Sequence, residues 1–138
     1  MIRYNTCDVR APIFPRRKVT AWIKTVAARY HKKVGDVGYI FCSDVEILKV
    51  NAEYLSHDYY TDIITFDYST GAVISGDMFI SLETVCSNAG KYAVPFENEL
   101  YRVMIHGILH LCGINDKAAA ERENMTRCEN EALGILTI

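Results

Sequence analysis

From about Phe96 to Cys112 the chain reads as a helix that is apolar almost all round, opened by Pro95 and closed by Gly113. A helix of that kind cannot lie on a surface; the rest of the fold has to pack around it. Two histidines, His106 and His110, interrupt it, and polar rings in an apolar helix need partners. At about 100° per residue, a spacing of four returns to within about 40° of the starting direction, so both imidazoles leave one face. Gly113 readily takes the left-handed conformation that ends a helix and turns the chain back. Asp116 follows three residues later, where the turn can deliver a carboxylate to the same point. Two imidazoles and a carboxylate, with room left for water, are the ingredients of an open catalytic metal site.

The rest of the chain is that of an ordinary globular protein. Its 138 residues, half of them hydrophobic and 23% charged, suit a single domain over residues 1–138 with a core of its own. A formal net charge of −2 supplies no argument for nucleic acid, so any such footprint must be local. Arg16-Arg17-Lys18 and Arg29-Tyr30-His31-Lys32-Lys33 flank the two ends of the first helical pattern, where solvated helix ends are the ordinary reading and phosphate binding the sharper one. The N-terminal residues lack a signal-peptide pattern, and no stretch reaches the roughly 20 apolar residues of a membrane span. Five cysteines at irregular spacings suit reduced thiols, so a cytoplasmic location without membrane association is expected.

Periodicity predicts an α+β domain with a small mixed sheet and four or five helices. Ile2-Arg3-Tyr4-Asn5 reads as a short strand. Val19, Trp22, Ile23, Val26, Ala27 and Tyr30 mark one face of a helix. Gly35 and Gly38 bracket a turn into the strand Tyr39–Cys42. Ser43 and Glu46 have capping-box spacing for a second helix through about Tyr54. Further strands are predicted at Ile63–Phe66 and up to Met78–Ser81, followed by a helix with Leu82, Val85, Cys86 and Ala89 inward. A last helix runs from about Ala118 to Leu133, with Met125, Cys128 and Ala132 inward. Strand order cannot be read from these patterns.

The spacing H-x3-H-x5-D, with a glycine three residues after the second histidine, parallels the long zincin motif and makes this a zincin-like metal helix. Gly107 stands where a protease would carry its general-base glutamate, which removes the ordinary peptidase mechanism. Asp116 as a third ligand polarises water less than an imidazole would and favours harder ions somewhat, yet one Zn2+ remains the first choice over another divalent metal. Cys112, about 200° round the helix from His110, faces away from the pair.

At these residues the sequence resembles the YbeY family of metal-dependent endoribonucleases, associated with ribosomal RNA maturation and ribosome quality control in bacteria. His106-Gly107-Ile108-Leu109-His110-Leu111-Cys112-Gly113 follows that family's H-G-x-L-H-L-x-G-Y-D-H in register. Asn51-Ala52-Glu53-Tyr54, Asp58 and Thr61-Asp62-Ile63-Ile64-Thr65-Phe66 are similar to its L-N-x-x-Y-R-x-x-D-x-x-T-D-V-L-S-F, and Gly76-Asp77-Met78 to its G-D-I. Gly107 is thus part of the family pattern. Asp116 falls on the family's third histidine and Leu55 on its arginine.

The resemblance implies a hydrolase acting on single-stranded RNA, with the 3′ end of small-subunit (16S) rRNA as substrate and the ribosome or its small subunit as partner. His106, His110 and Asp116 would then be the metal ligands. Asp62 is a candidate base or ligand-orienting group, and Arg102 or His57 a candidate for the positive or donor group that Leu55 cannot supply. Tyr54, Tyr59, Tyr60 and Tyr68 offer rings for base stacking, although packing is their commoner use. Two other readings remain open at this point: a divergent zinc peptidase or other small metallohydrolase, and a non-catalytic ribosome-associated factor whose metal holds the Gly113 turn.

Overall fold

The computed structural model describes residues 1–55 and 61–137. The elements run β1 (Ile2–Thr6), α1 (Arg16–Arg29), β2 (Lys33–Cys42), α2 (Asp44–Leu55), β3 (Ile63–Asp67), β4 (Val73–Ser81), α3 (Leu82–Lys91), α4 (Phe96–Leu111) and α5 (Ala119–Gly134). The sheet has the order β1-β2-β4-β3, with β1, β2 and β4 parallel and β3 antiparallel to β4. This is the mixed sheet of an α+β domain.

Alternation along the strands sorts the helices into layers. Ile74, Met78 and Ile80 of β4 and Val37, Tyr39 and Phe41 of β2 join the main core with α1, α4 and the inner faces of α3 and α5. On the opposite face Cys42, Ile64, Phe66 and Phe79 pack with Ile47 and Val50 of α2. Two buried hydrogen bonds tie the main layer together. The Tyr39 hydroxyl donates to the Met104 carbonyl of α4 at 2.8 Å, and the Trp22 indole donates to the Ala132 carbonyl of α5 at 2.8 Å.

Local signals account for most boundaries. The Ser43 hydroxyl accepts from the Glu46 amide, as the capping-box spacing predicts, and Ser81 caps α3 by accepting from Thr84. Gly113 has φ +99°, and the amides of Gly113 and Ile114 donate back to the carbonyls of His110 and Leu109, which ends α4. One expectation fails. Gly35 and Gly38 do not bracket a turn but lie inside β2. A Cβ at Gly35 would sit 2.6 Å from Ser75 Oγ, and one at Gly38 2.8 Å from Asp77 Oδ1, so these glycines accommodate neighbouring side chains on β4. All five cysteines are free thiols. No helix among the described residues is long and apolar enough to cross a membrane.

α4 lies directly against the sheet at Gly107. A Cβ there would collide with Met78 Sδ and come within 3.0 Å of Ile63 Cδ1. Residue 107 therefore faces the sheet, and a glutamate in its place would have no route to the histidines. Glycine to alanine inside a helix ordinarily stabilises by up to about 1 kcal/mol. At Gly107 overpacking should reverse the sign and cost about 1–3 kcal/mol. Gly90, in α3 with open space around it, is the control, and Gly90→Ala should be neutral or stabilising. Denaturant unfolding of the two variants checks both signs.

Candidate functional site

Spacings of three and four place Glu99, Arg102, His106 and His110 along a single stripe of α4. That stripe is the polar face of the otherwise apolar helix. Its first three members form one wall of an open cleft of about 1290 Å³, completed by Asp62 just before β3, Asp116 beyond the Gly113 turn and Glu129 of α5.

His106 is held at both ring nitrogens. Its Nδ1 lies 2.7 Å from Glu129 Oε2, and its Nε2 lies 3.3 Å from Asp116 Oδ2. Glu129 is 8% exposed, and its other oxygen accepts from Arg102 Nη1 at 2.9 Å. Arg102 Nη2 donates in turn to Asn130 Oδ1 at 2.8 Å. The Gly113 turn thus brings Asp116 back to His106, and α5 contributes a buried carboxylate on the other side of the ring.

Two of the expected donors, His106 Nε2 and Asp116 Oδ2, stand at the spacing of metal ligands. Ligand bonds of about 2.0–2.2 Å at a tetrahedral angle put donor atoms roughly 3.3–3.6 Å apart. The Nε2–Oδ2 separation of 3.3 Å has the length of that tetrahedron edge. A metal-ligating histidine usually gives its second ring N–H to a carboxylate, the position Glu129 occupies. Among the described residues no three histidine, cysteine or acidic side chains converge as a complete set. His110 lies one turn beyond His106, half-buried and on the same stripe, where Cβ atoms are about 5–6 Å apart. Side-chain rotation would be needed to add its ring as the third donor.

Comparison with known proteins decides the family. The family model described as Endoribonuclease YbeY matches residues 7–137. The chain belongs to the YbeY family. A Phocaeicola vulgatus protein named Endoribonuclease YbeY is 59% identical over the whole of both chains. Bacteroides fragilis and Porphyromonas gingivalis proteins of the same name are 58% and 52% identical, covering 97% and 98% of this chain and 96% and 89% of theirs. In fold the chain is similar to a solution structure from Thermotoga maritima, with a TM-score of 0.63 at 24% identity, over 97% of this chain and 90% of that one. YbeY relatives are thus named as enzymes, and their length matches that of this chain.

Other residues expected to serve a YbeY site divide clearly. Asp62 lines the cleft, and its carbonyl accepts from the Ser81 amide, which fixes it where β3 begins beside β4. Thr61 donates to the Ile63 carbonyl, supporting the strand entrance. Tyr54 is exposed and packs edge-on against Phe66, away from the cleft-lining set, and Tyr68 is exposed outside that set. His57, Asp58, Tyr59 and Tyr60 lie outside the described residues. Cys112 is half-buried against the core, as its angle on the helix predicts. Glu129 is what reasoning from sequence missed. Met125, Cys128, Glu129 and Ala132 share the inward face of α5, so a glutamate on an apolar stripe was the available signal.

Electrostatics follow from burial and crowding. Burial works against the charged form of His106, but the Glu129 hydrogen bond and the charges of Glu129, Asp116 and Asp62 outweigh it, so its pKa is raised above the ordinary 6.5. Burial raises Asp62 above 3.8, although His106 and the amides of Asp62 and Ile63 pull the other way. Each group binds its proton more tightly folded than unfolded. The associated stability is complete below the unfolded pKa and is lost as pH rises through the folded one. Melting temperatures of chelator-treated protein should therefore fall in two stages with rising pH, first above 3.8, where Glu99 of the same cleft, raised by burial above 4.5, adds to the Asp62 contribution, and again above 6.5 as His106 loses its proton. Asp62→Asn should shrink the first and His106→Gln the second. An unchanged second stage in His106→Gln would show that the ring does not carry it.

Proposed function

We propose that this chain is a metal-dependent endoribonuclease that cuts single-stranded RNA, acting in the cytoplasm on ribosome-associated precursor of 16S rRNA near its 3′ end. The observation that carries the metal dependence is the double clasp on His106, a buried carboxylate at one ring nitrogen and Asp116 at the other. The names of the relatives carry the RNA substrate, and the resemblance in the histidine and Thr61-Asp62 blocks carries the ribosomal assignment.

His106, His110 and Asp116 would hold one divalent ion, with Zn2+ first because imidazole donors suit it. Held there, such an ion would supply Lewis-acid chemistry, lowering the pKa of a water toward about 7 and polarising a phosphoryl oxygen. The protein supplies the rest. Asp62, half-buried in the cleft lining with a raised pKa, would take or orient a proton near the attacked phosphate. Arg102 and Arg122 are the guanidinium groups of the cleft lining, and Arg102 is already engaged by Glu129 and Asn130. Five carboxylates line the same cleft: Asp62, Glu97, Glu99, Asp116 and Glu129. A polyanion meets repulsion there until bound positive charge offsets it. RNA binding as well as cleavage therefore depends on the cation.

The peptidase reading is weaker because residue 107, the protease base position, faces Met78 and the sheet. Removing divalent ions should abolish cleavage of a single-stranded RNA and weaken its binding, with both restored by Zn2+. His106→Ala and His110→Ala should reduce cleavage to background while retaining the fold by circular dichroism. Full cleavage after complete chelation would overturn the reading. Product termini then decide the chemistry, since a 2′,3′-cyclic phosphate marks attack by the ribose hydroxyl and its absence marks attack by water.

A further inference from the structure

We infer that Glu129, held in place by Arg102, is the positioning residue that sets which ring nitrogen of His106 faces the cleft. Neutral imidazole carries its proton on one nitrogen only, and the partner of the other nitrogen decides which. Glu129 is an acceptor. At 2.7 Å from Nδ1 it takes the Nδ1–H and leaves the Nε2 lone pair directed toward Asp116 and the cleft. The opposite tautomer would give up that 2.7 Å hydrogen bond, setting two lone-pair acceptors face to face at Nδ1, for a longer 3.3 Å contact with Asp116, and it would point a proton at the side where a ligand approaches.

Arg102 makes the arrangement rigid. Glu129 Oε1 accepts from Arg102 Nη1 at 2.9 Å while Oε2 serves His106, so both oxygens of one buried carboxylate are committed in different directions. Asn130, the next residue on α5, holds the second guanidinium nitrogen at 2.8 Å. Arg102 and His106 are one turn apart on α4, and Glu129 spans both from α5. The carboxylate therefore cannot leave His106 without also releasing Arg102. In this arrangement Arg102 acts through Glu129 and is not primarily a substrate-phosphate anchor.

Its consequence for metal affinity rests on the metal-dependent reading above, but the tautomer itself does not. Histidine side-chain 15N spectra of chelated protein, at a pH where the ring is neutral, should show His106 as the Nδ1–H tautomer. Glu129→Gln, which keeps the shape of the side chain, should lose that preference. In competition with a chromophoric chelator, Glu129→Gln should bind Zn2+ about 10–100-fold more weakly than the unmodified chain. Glu129→Asp should recover part of the loss. Adding Arg102→Gln to Glu129→Gln should cost little more, because the two act in series. A His106 tautomer unchanged by Glu129→Gln in the folded protein overturns the inference, as does Zn2+ affinity unchanged in that variant. If the unmodified chain binds no Zn2+ while the tautomer still depends on Glu129, the metal reading fails and the positioning role stands.

Discussion

The approach of α4 to the sheet at Gly107 governs the geometry of everything around the cleft. Because that residue has no side chain, the helix sits against Met78 of β4 and Ile63 of β3. His106, its immediate neighbour, is consequently brought to the entrance of β3, beside Asp62. A bulkier residue at 107 would push the whole polar stripe of α4 away from the strand end. The same glycine that denies this helix a protease-type base thus places its histidine against a different carboxylate. Packing and chemistry make the same demand on one position.

Around His106 the fold assembles negative charge from segments far apart in the chain. Asp62 comes from the entrance of β3, Asp116 from the turn after α4 and Glu129 from α5. Burial is the main reason Asp62 is raised, with the Glu129 charge adding a smaller push, and the carboxylates around His106 are why that ring favours its proton. Arg102 relieves part of this by pairing with Glu129. On the proposed metal-dependent reading, the proton on His106 and a divalent cation would compete for the same excess negative charge. With Asp116 in place of an imidazole, that excess would be larger than in a three-histidine shell, and a cation there would gain correspondingly more Coulomb attraction.

Legibility in the sequence followed the range of the interactions. The α4 stripe, the Gly113 stop and the return of Asp116 are all local, set by residues within about three helical turns, and they could be read from spacing. So could the capping of α2 by Ser43 and the inward face of α1. Glu129 could not be placed, because its partner sits 23 residues earlier on another helix. Only the crossing of α4 and α5 decides which of their residues meet. Strand order was hidden for the same reason: β2 pairs with β1 and β4 through long connections, not through a hairpin. Gly35 and Gly38 misled because a glycine needed for close neighbours across a sheet looks, in one dimension, like a glycine needed for a turn.

The position of α5 depends in turn on a residue with no place in the cleft. Trp22 of α1 is buried, and its indole N–H donates to the carbonyl of Ala132, three residues beyond Glu129. Its ring also packs edge-on against Tyr101, the neighbour of Arg102 on α4. One side chain therefore touches both helices whose crossing aligns Glu129, Arg102 and His106. Losing the indole would open a cavity between α1, α4 and α5 and leave the Ala132 carbonyl without this donor. Because the Glu129–His106 bond is only as well aligned as the two helices that carry it, the tautomer of His106 is coupled to core packing in the first third of the chain. The long-range part of the site is therefore built by the hydrophobic core, and the short-range part by the α4 motif.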